Sequence, residues 1–432
     1  MKIKPGTPLN VKLNFGQLEL SVGRLALDSG IAVLEYSQEF LASGLSINPI
    51  LGTPTTLLVR AKGARLFDGL HGIFADSLPD AWGEILVQRR AEANGVPYSS
   101  LTVLDKLAIV GTRGMGALTY HPEVSHHPNA GTIDLEVLAG ESLRILQGAP
   151  SDVLTQIEEL GGSSGGARPK VLVGINDADE IVSGTHDLPD GFNAWIVKFR
   201  DSRDVEDIGP LEATYAAMAR AAGLEMSQTK LLPSRTGPGY FATRRFDRGK
   251  NGSRVHVASA AGLLDTEWAV PTIDYDMLLK LTMAITRQHG DVEKMFRRLA
   301  FNVIAYNRDD HSKQHSFLMN AQGIWTLAPA YDLTFSSGAG GEHYLAVNGK
   351  GSNITVADLS VLGKSHGISQ KLVDDVVGIT TEAVGQFGRL AKDYGVSKRT
   401  ASTVQGVLNS QIAAFTQGRA RASKAIGRNG GS

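Results

Sequence analysis

Residues 307–332, NRDDHSKQHSFLMNAQGIWTLAPAYD, constrain the fold more than any other part of this 432-residue chain. The segment leaves an apolar helical pattern in which Met295, Leu299, Val303 and Tyr306 share a face, so it is anchored in a core. Asp309, Asp310, His311, Lys313 and Gln314 then crowd one polar loop. Short apolar runs at 316–319 and 324–327 flank Asn320-Ala321-Gln322-Gly323, which is a hairpin turn signal. A hairpin brings the chain back to its start, so Asp332 is expected near Asp309 and Gln314. Two carboxylates and an amide around one small volume are what a divalent cation bound with phosphate requires.

An acid five residues before an amide, then a hairpin, then a second acid, is the spacing of a protein-kinase catalytic loop and its metal-binding Asp. On that reading Asp309 orients an acceptor hydroxyl and takes its proton. Gln314 offers a neutral oxygen to Mg2+, and Asp332 binds Mg2+ bridging the phosphates of ATP. The plainer alternative is a solvated, Asp-rich loop that caps a helix. His311 and His315 are four apart, but a zinc-protease helix needs Glu after the first His, and Ser312 stands there. His311 is expected instead to hold the loop or an acidic side chain in place.

Upstream lie weaker elements in a telling order. The Gly/Ser stretch 161–170, GGSSGGARPK, fails both the Walker and the G-x-G-x-x-G patterns. Its exposed amides, with Gly165 and Gly166, and its hydroxyls, Ser163 and Ser164, can lie over phosphates, with Lys170 adding charge. It can equally be a flexible connection between helix and strand. Lys198 sits in the apolar strand AWIVKF (194–199), where an unpaired ammonium is costly. Glu212, early in the next helix, is its natural partner, and snorkelling at a strand edge is the other explanation. The strand FATRRFD (241–247), with Arg244 and Phe246, leads into the helical half, a place where an adenine ring would be read.

Composition narrows the class. The absence of Cys excludes disulfides, thiolate metal sites and a Cys nucleophile. With 43 Lys+Arg against 44 Asp+Glu, nothing indicates nucleic-acid binding by bulk charge. The first residues carry no signal-peptide core, and no window approaches the roughly 18 apolar residues of a membrane span, so a cytoplasmic protein with no membrane contact is expected. The first half reads as β-rich with scattered helices, including one over 82–93 and another over 151–160 capped by Ser151. Beyond residue 270, helical patterns at 274–288, 291–306, 370–394 and 398–417 dominate. The tail 418–432 is basic and Gly-rich and reads as a frayed terminus, although Arg419, Arg421, Lys424 and Arg428 would permit DNA contact.

Taken in order, the chain resembles the HipA family, the serine/threonine kinase toxins of bacterial toxin–antitoxin modules. The stretches that carry the resemblance are FADSLPDAWG (74–83), GMGALTY (114–120), GGSSGGARPK, WIVKF, RRFDR (244–248), NRDDHSKQH, APAYD (328–332) and VNGKGSNIT (347–355). The resemblance implies an α+β, two-lobed, protein-kinase-like fold. Its parts would be an N-terminal subdomain (1–124), a β-rich N-lobe (125–248) and a mostly helical C-lobe (249–432).

It also implies an ATP- and Mg2+-dependent serine kinase that phosphorylates an aminoacyl-tRNA synthetase and arrests growth. The expected partner is a HipB-like helix-turn-helix antitoxin, with DNA reached only through it. Asp309 would be the catalytic base with His311 beside it, Gln314 and Asp332 the metal ligands, Lys198 the phosphate-binding lysine and Ser163 the autophosphorylated residue. Gln314 departs from the family's usual Asn, Pro169 removes a backbone donor, and Arg244 stands where an acid can occur. A kinase without a toxin role, or a co-repressor scaffold of weak catalysis, would share most of these features.

Overall fold

The computed structural model describes residues 6–124, 133–151, 153–161, 166, 168–184 and 188–429. Period-2 apolar spacing builds the first sheet. In β1 (Leu9–Asn14) the side chains of Leu9, Val11 and Leu13 all point inward. β2 (Glu19–Asp28) and β3 (Ile31–Tyr36) follow, then α1 (Gln38–Ser43) and β4 (Val59–Arg60). The short α2 (Gly72–Ala75), α3 (Ala81–Ala93) and α4 (Val103–Val110) precede β5 (Leu118–His121). Among the described residues the strand order is β4-β3-β2-β1-β5, with antiparallel pairing throughout. Helix α4 has no counterpart among the sequence expectations. Its residues VLDKLAIV are buried on every side, so no amphipathic period marks it, and its Thr102–Asp105 capping box is the local signal that fixes it.

The second sheet follows α5 (Leu135–Leu146) and α6 (Leu154–Gly161). It is built from β6 (Lys170–Ile175), β7 (Ile181–Ser183), β8 (Asn193–Lys198), β9 (Thr229–Leu232) and β10 (Tyr240–Arg244), in the order β7-β6-β8-β10-β9. Leu138, Ile145, Ile157 and Leu160 from the two helices pack on Val171, Val173, Trp195 and Val197, joined by Trp82 and Leu86 of α3. Helix α7 (Ile208–Ala221) crosses to the other half, where Tyr215 donates to the Ala305 carbonyl at 2.8 Å. Lys170 and Phe241 both lie opposite Lys198 in register.

The helical half holds β11 (His256–Ser259), α8 (Ala260–Leu264), α9 (Tyr275–Thr286) and α10 (His289–Ile304). Strands β12 (Ser316–Met319) and β13 (Trp325–Leu327) form the expected hairpin. Asn320 Oδ1 accepts from the amides of Gln322 and Ile324, each at 3.0 Å, and Gly323 takes a φ of +77° that suits glycine. The chain ends in α11 (Val356–Ser365), α12 (Gln370–Gly385), α13 (Phe387–Asp393) and α14 (Lys398–Asn429).

Two expectations change here. The pattern at 370–394 is two helices, because the backbone tightens at Gln386, whose amide donates to Ala383 and Val384. The tail is not frayed from residue 418: its Ala, Arg and Lys are strong helix formers and carry α14 to Asn429.

The halves are stitched by the motifs that carry the family resemblance. Asp247 of RRFDR is buried and accepts from the Gly116 amide at 2.8 Å, Arg245 at 2.7 Å and Arg248 at 2.6 Å. Among the described residues, no helix is long and apolar enough to cross a membrane.

Candidate active site

The polar loop after α10 separates its two neighbouring acids. Asp310 is buried and turned into the core, where it accepts from the Tyr275 hydroxyl at 2.7 Å and the Tyr344 amide at 2.9 Å, and meets His343 Nδ1 at 2.9 Å. Asp309 faces the cleft, with its side chain 52% exposed. His311 Nε2 lies 3.9 Å from Asp309 Oδ1, and its ring is wedged between Trp268 and Tyr344. Desolvation by the surrounding walls raises the Asp309 carboxyl above its ordinary value and pushes the His311 imidazole below its own.

The hairpin returns the chain as expected. Gln314 Nε2 donates to Asp332 Oδ2 at 2.9 Å, and Asp332 holds a left-handed φ of +55°. Lys198 forms an ion pair with Asp332 and stands 3.1 Å from Glu212 Oε2, so the strand lysine is paired rather than snorkelled. Burial by itself would raise the Asp332 carboxyl; the ammonium groups of Lys198 and Lys170 outweigh it and hold the group well below the usual carboxylate range. Burial likewise opposes the charge on Lys198, but Asp332 and Glu212 raise it above the ordinary lysine value.

Two cations from the Gly/Ser stretch complete this wall. Arg168 bridges Asp204 at 2.9 Å and Glu212 at 3.2 Å. Lys170 is buried at the start of β6, and burial, aided by repulsion from Lys198, pulls its ammonium down to about 8.

These groups line one cleft of about 600 Å³ between the lobes. Asp309, His311, Gln314, Asp332, Lys198, Gly166, Arg244 and Phe246 all border it. Glu212 sits behind it, reaching it through Lys198. Arg244 donates to Asn193 at 2.6 Å, and Phe246 packs on Tyr331 with ring centres 5.7 Å apart. Ser163, Ser164 and Gly165 lie outside the described residues. His315 is buried against Tyr275 and the Asp310 carbonyl, away from a ligand role, and no group of three or more His, Cys, Asp or Glu suited to a metal occurs among the described residues.

The donors that are present are hard oxygens: the Asp332 carboxylate and the Gln314 carbonyl. They fit Mg2+, which keeps most of its waters and takes one or two protein ligands together with phosphate oxygens.

Sequence reading missed the contribution of the first subdomain. Asp76 accepts from the Ser259 amide and hydroxyl at 2.7 and 2.6 Å, and Asp80 forms an ion pair with Lys313 at 2.8 Å, both at the cleft edge. The available signal was local: two acids bracketing Ser77-Leu78-Pro79 within an otherwise apolar stretch.

The site lies in a mixed α+β chain of two lobes with a charged cleft between them, the architecture expected of a kinase-like fold. Family models agree: the HipA N-terminal domain matches residues 15–121 and the HipA-like C-terminal domain matches residues 162–393. The chain belongs to the HipA family. Among solved structures it is similar to HipA of Shewanella oneidensis MR-1, determined with HipB and its operator DNA. That match has 16% identity and a TM-score of 0.68, over 96% of this chain and 98% of that one. A slighter likeness, to the Helicobacter pylori proinflammatory kinase CtkA, has 13% identity and a TM-score of 0.40, over 54% of this chain and 92% of that one. Among curated proteins, none matches this chain in sequence.

Proposed function

We propose that this protein is an ATP- and Mg2+-dependent serine/threonine kinase of the HipA type. The observation that carries the reading is the convergence of Lys198, Glu212, Gln314 and Asp332 beneath a cleft whose opposite edge presents Asp309. Lys198, held by Glu212, places a fixed positive charge for the nucleotide phosphates. Mg2+, held by Asp332 and the Gln314 carbonyl, would neutralise charge on the β- and γ-phosphates. Asp309 accepts the proton of a serine hydroxyl as its oxygen forms a bond to the γ-phosphorus. The bond from that phosphorus to the bridging oxygen breaks, and ADP leaves with the electron pair. His311, kept neutral by burial, stands 3.9 Å from the Asp309 carboxylate, beyond hydrogen-bond reach, and walls its surroundings rather than exchanging protons with substrate.

The family resemblance extends the proposal. The substrate is an aminoacyl-tRNA synthetase, whose phosphorylation arrests growth, and a HipB-like antitoxin is the partner, as in the Shewanella complex. Autophosphorylation at Ser163 would add about −1.5 to −2 of charge beside the ATP phosphates and switch the enzyme off.

The test is incubation with labelled ATP and Mg2+. Wild type labels itself at Ser163, and Asp309→Ala lowers the rate about a hundredfold or more while nucleotide still binds. Equal labelling in that variant would remove Asp309 from its role.

A further inference from the structure

One carboxylate joins three segments that are far apart in sequence. Asp80 Oδ2 accepts from the backbone amide of Gly166 at 2.7 Å, and Oδ1 receives the Lys313 ammonium at 2.8 Å. An Asp at the N-cap of a helix ordinarily caps its own first turn. Asp80 is the N-cap of α3 and makes no such bond, because its carboxylate is turned towards the cleft.

Each component is fixed from behind. The segment leading to Asp80 is pinned to the helical lobe by Asp76 on Ser259 and by the Gly72 amide on Asp265 at 2.6 Å. Lys313 accepts the Tyr331 hydroxyl on its carbonyl at 2.6 Å, and its ammonium stands over the Trp268 ring. Gly166 holds a φ of +105°, a conformation that strains any residue with a Cβ, so glycine suits the position from which its N–H reaches Asp80. The ion pair is well shielded, with side-chain exposures of 16% and 17%.

We propose that Asp80 is a positioning residue through which the N-terminal subdomain fixes the Gly166 amide and the Lys313 ammonium relative to the phosphoryl-transfer cleft. This rests on the kinase reading above. Two donors that border the cleft, one from the Gly/Ser stretch and one from the catalytic loop, are thereby held by a third part of the chain. Docking of the first subdomain then becomes a condition for transfer rather than a separate structural function.

The test uses the full chain and two readouts: hydrogen exchange at the Gly166 amide without nucleotide, and steady-state transfer from ATP–Mg2+. Asp80→Ala speeds exchange at Gly166, raises KM for ATP and lowers kcat, each by about tenfold. Asp80→Asn keeps an acceptor oxygen for Gly166 but loses the ion pair, so exchange and KM stay close to wild type while kcat falls. Lys313→Met lowers kcat similarly with exchange unchanged. Wild-type exchange and kinetics in Asp80→Ala would overturn the proposal. Should that variant fail to fold, wild-type kcat in both Asp80→Asn and Lys313→Met would overturn it instead. A wild type that transfers no phosphate defeats the kinase reading, whereas the exchange comparison still decides whether Asp80 holds Gly166.

Discussion

The two walls of the cleft are held in place by different physics. On the helical side, the catalytic loop is anchored from within the core. Asp310 receives Tyr275 and the Tyr344 amide, Asn302 donates to the Tyr275 hydroxyl at 3.0 Å, and Asn307 donates to Asn302 at 2.9 Å. On the opposite side, Arg168, Lys198 and Asp204 border the cleft and are held chiefly by ion pairs, those of Arg168 and Lys198 sharing Glu212 behind them. The first wall is pre-organised by bonds that a nucleotide never touches. On the kinase reading, the second is made of ion pairs that a nucleotide's phosphates would meet. A site that must hold a base rigidly and admit a highly charged ligand needs one wall of each kind.

The largest expected effect sets these walls against each other. Asp310→Ala leaves Tyr275, His343 and the Tyr344 amide without their acceptor in a dry core, and should cost about 3–5 kcal/mol in urea unfolding. Arg168→Ala removes two ion pairs of a partly exposed guanidinium, with Asp204 and Glu212, but leaves Glu212 paired to Lys198, and should cost about 1 kcal/mol, acting on nucleotide affinity instead. Equal losses of stability would erase the distinction.

How much of this was legible in the sequence follows the same division. The hairpin, the return of Asp332 to Gln314 and the pairing of Lys198 with Glu212 were readable because turn residues and strand-then-helix order are local signals. The five-residue spacing to Gln314 singles out Asp309 rather than Asp310, and Asp309 is the one that faces the cleft; what no spacing reveals is that Tyr275, His343 and Tyr344 hold Asp310 in the core. The Asp80–Lys313 contact spans 233 residues and depends on how the subdomains dock, so no spacing rule reaches it. Helix α4 was hidden for another reason: burial on all sides erases the amphipathic period.

A mid-sized effect probes the charged wall through pH. Lys170 has its ammonium lowered to about 8 by burial and by Lys198. Phosphate attracts the protonated form, so nucleotide affinity should be flat below that value. Above it affinity should fall by up to about tenfold per pH unit for this one proton. Calorimetric titration between pH 6.5 and roughly 9 measures the slope, and Lys170→Met should bind more weakly but without the bend. A bend that survives in Lys170→Met would assign it to another group.

The smallest effect tests where the two walls meet. Gln314 belongs to the core-anchored loop, yet its amide reaches across to Asp332, which Lys198 holds from the other side. Gln314→Asn shortens the side chain by one methylene and cannot keep the 2.9 Å bond without a shift of Asp332. Stability should change by no more than about 0.5 kcal/mol, since the residue is only half-buried and its loop is fixed elsewhere. The Mg2+ concentration for half-maximal phosphate transfer should fall by about two- to fivefold, because a shorter amide frees Asp332 from competing with its own hydrogen-bond donor. A rise in that concentration would mean that the longer side chain is itself fitted to the ion. The rigid wall, rather than the charged one, would then set metal affinity.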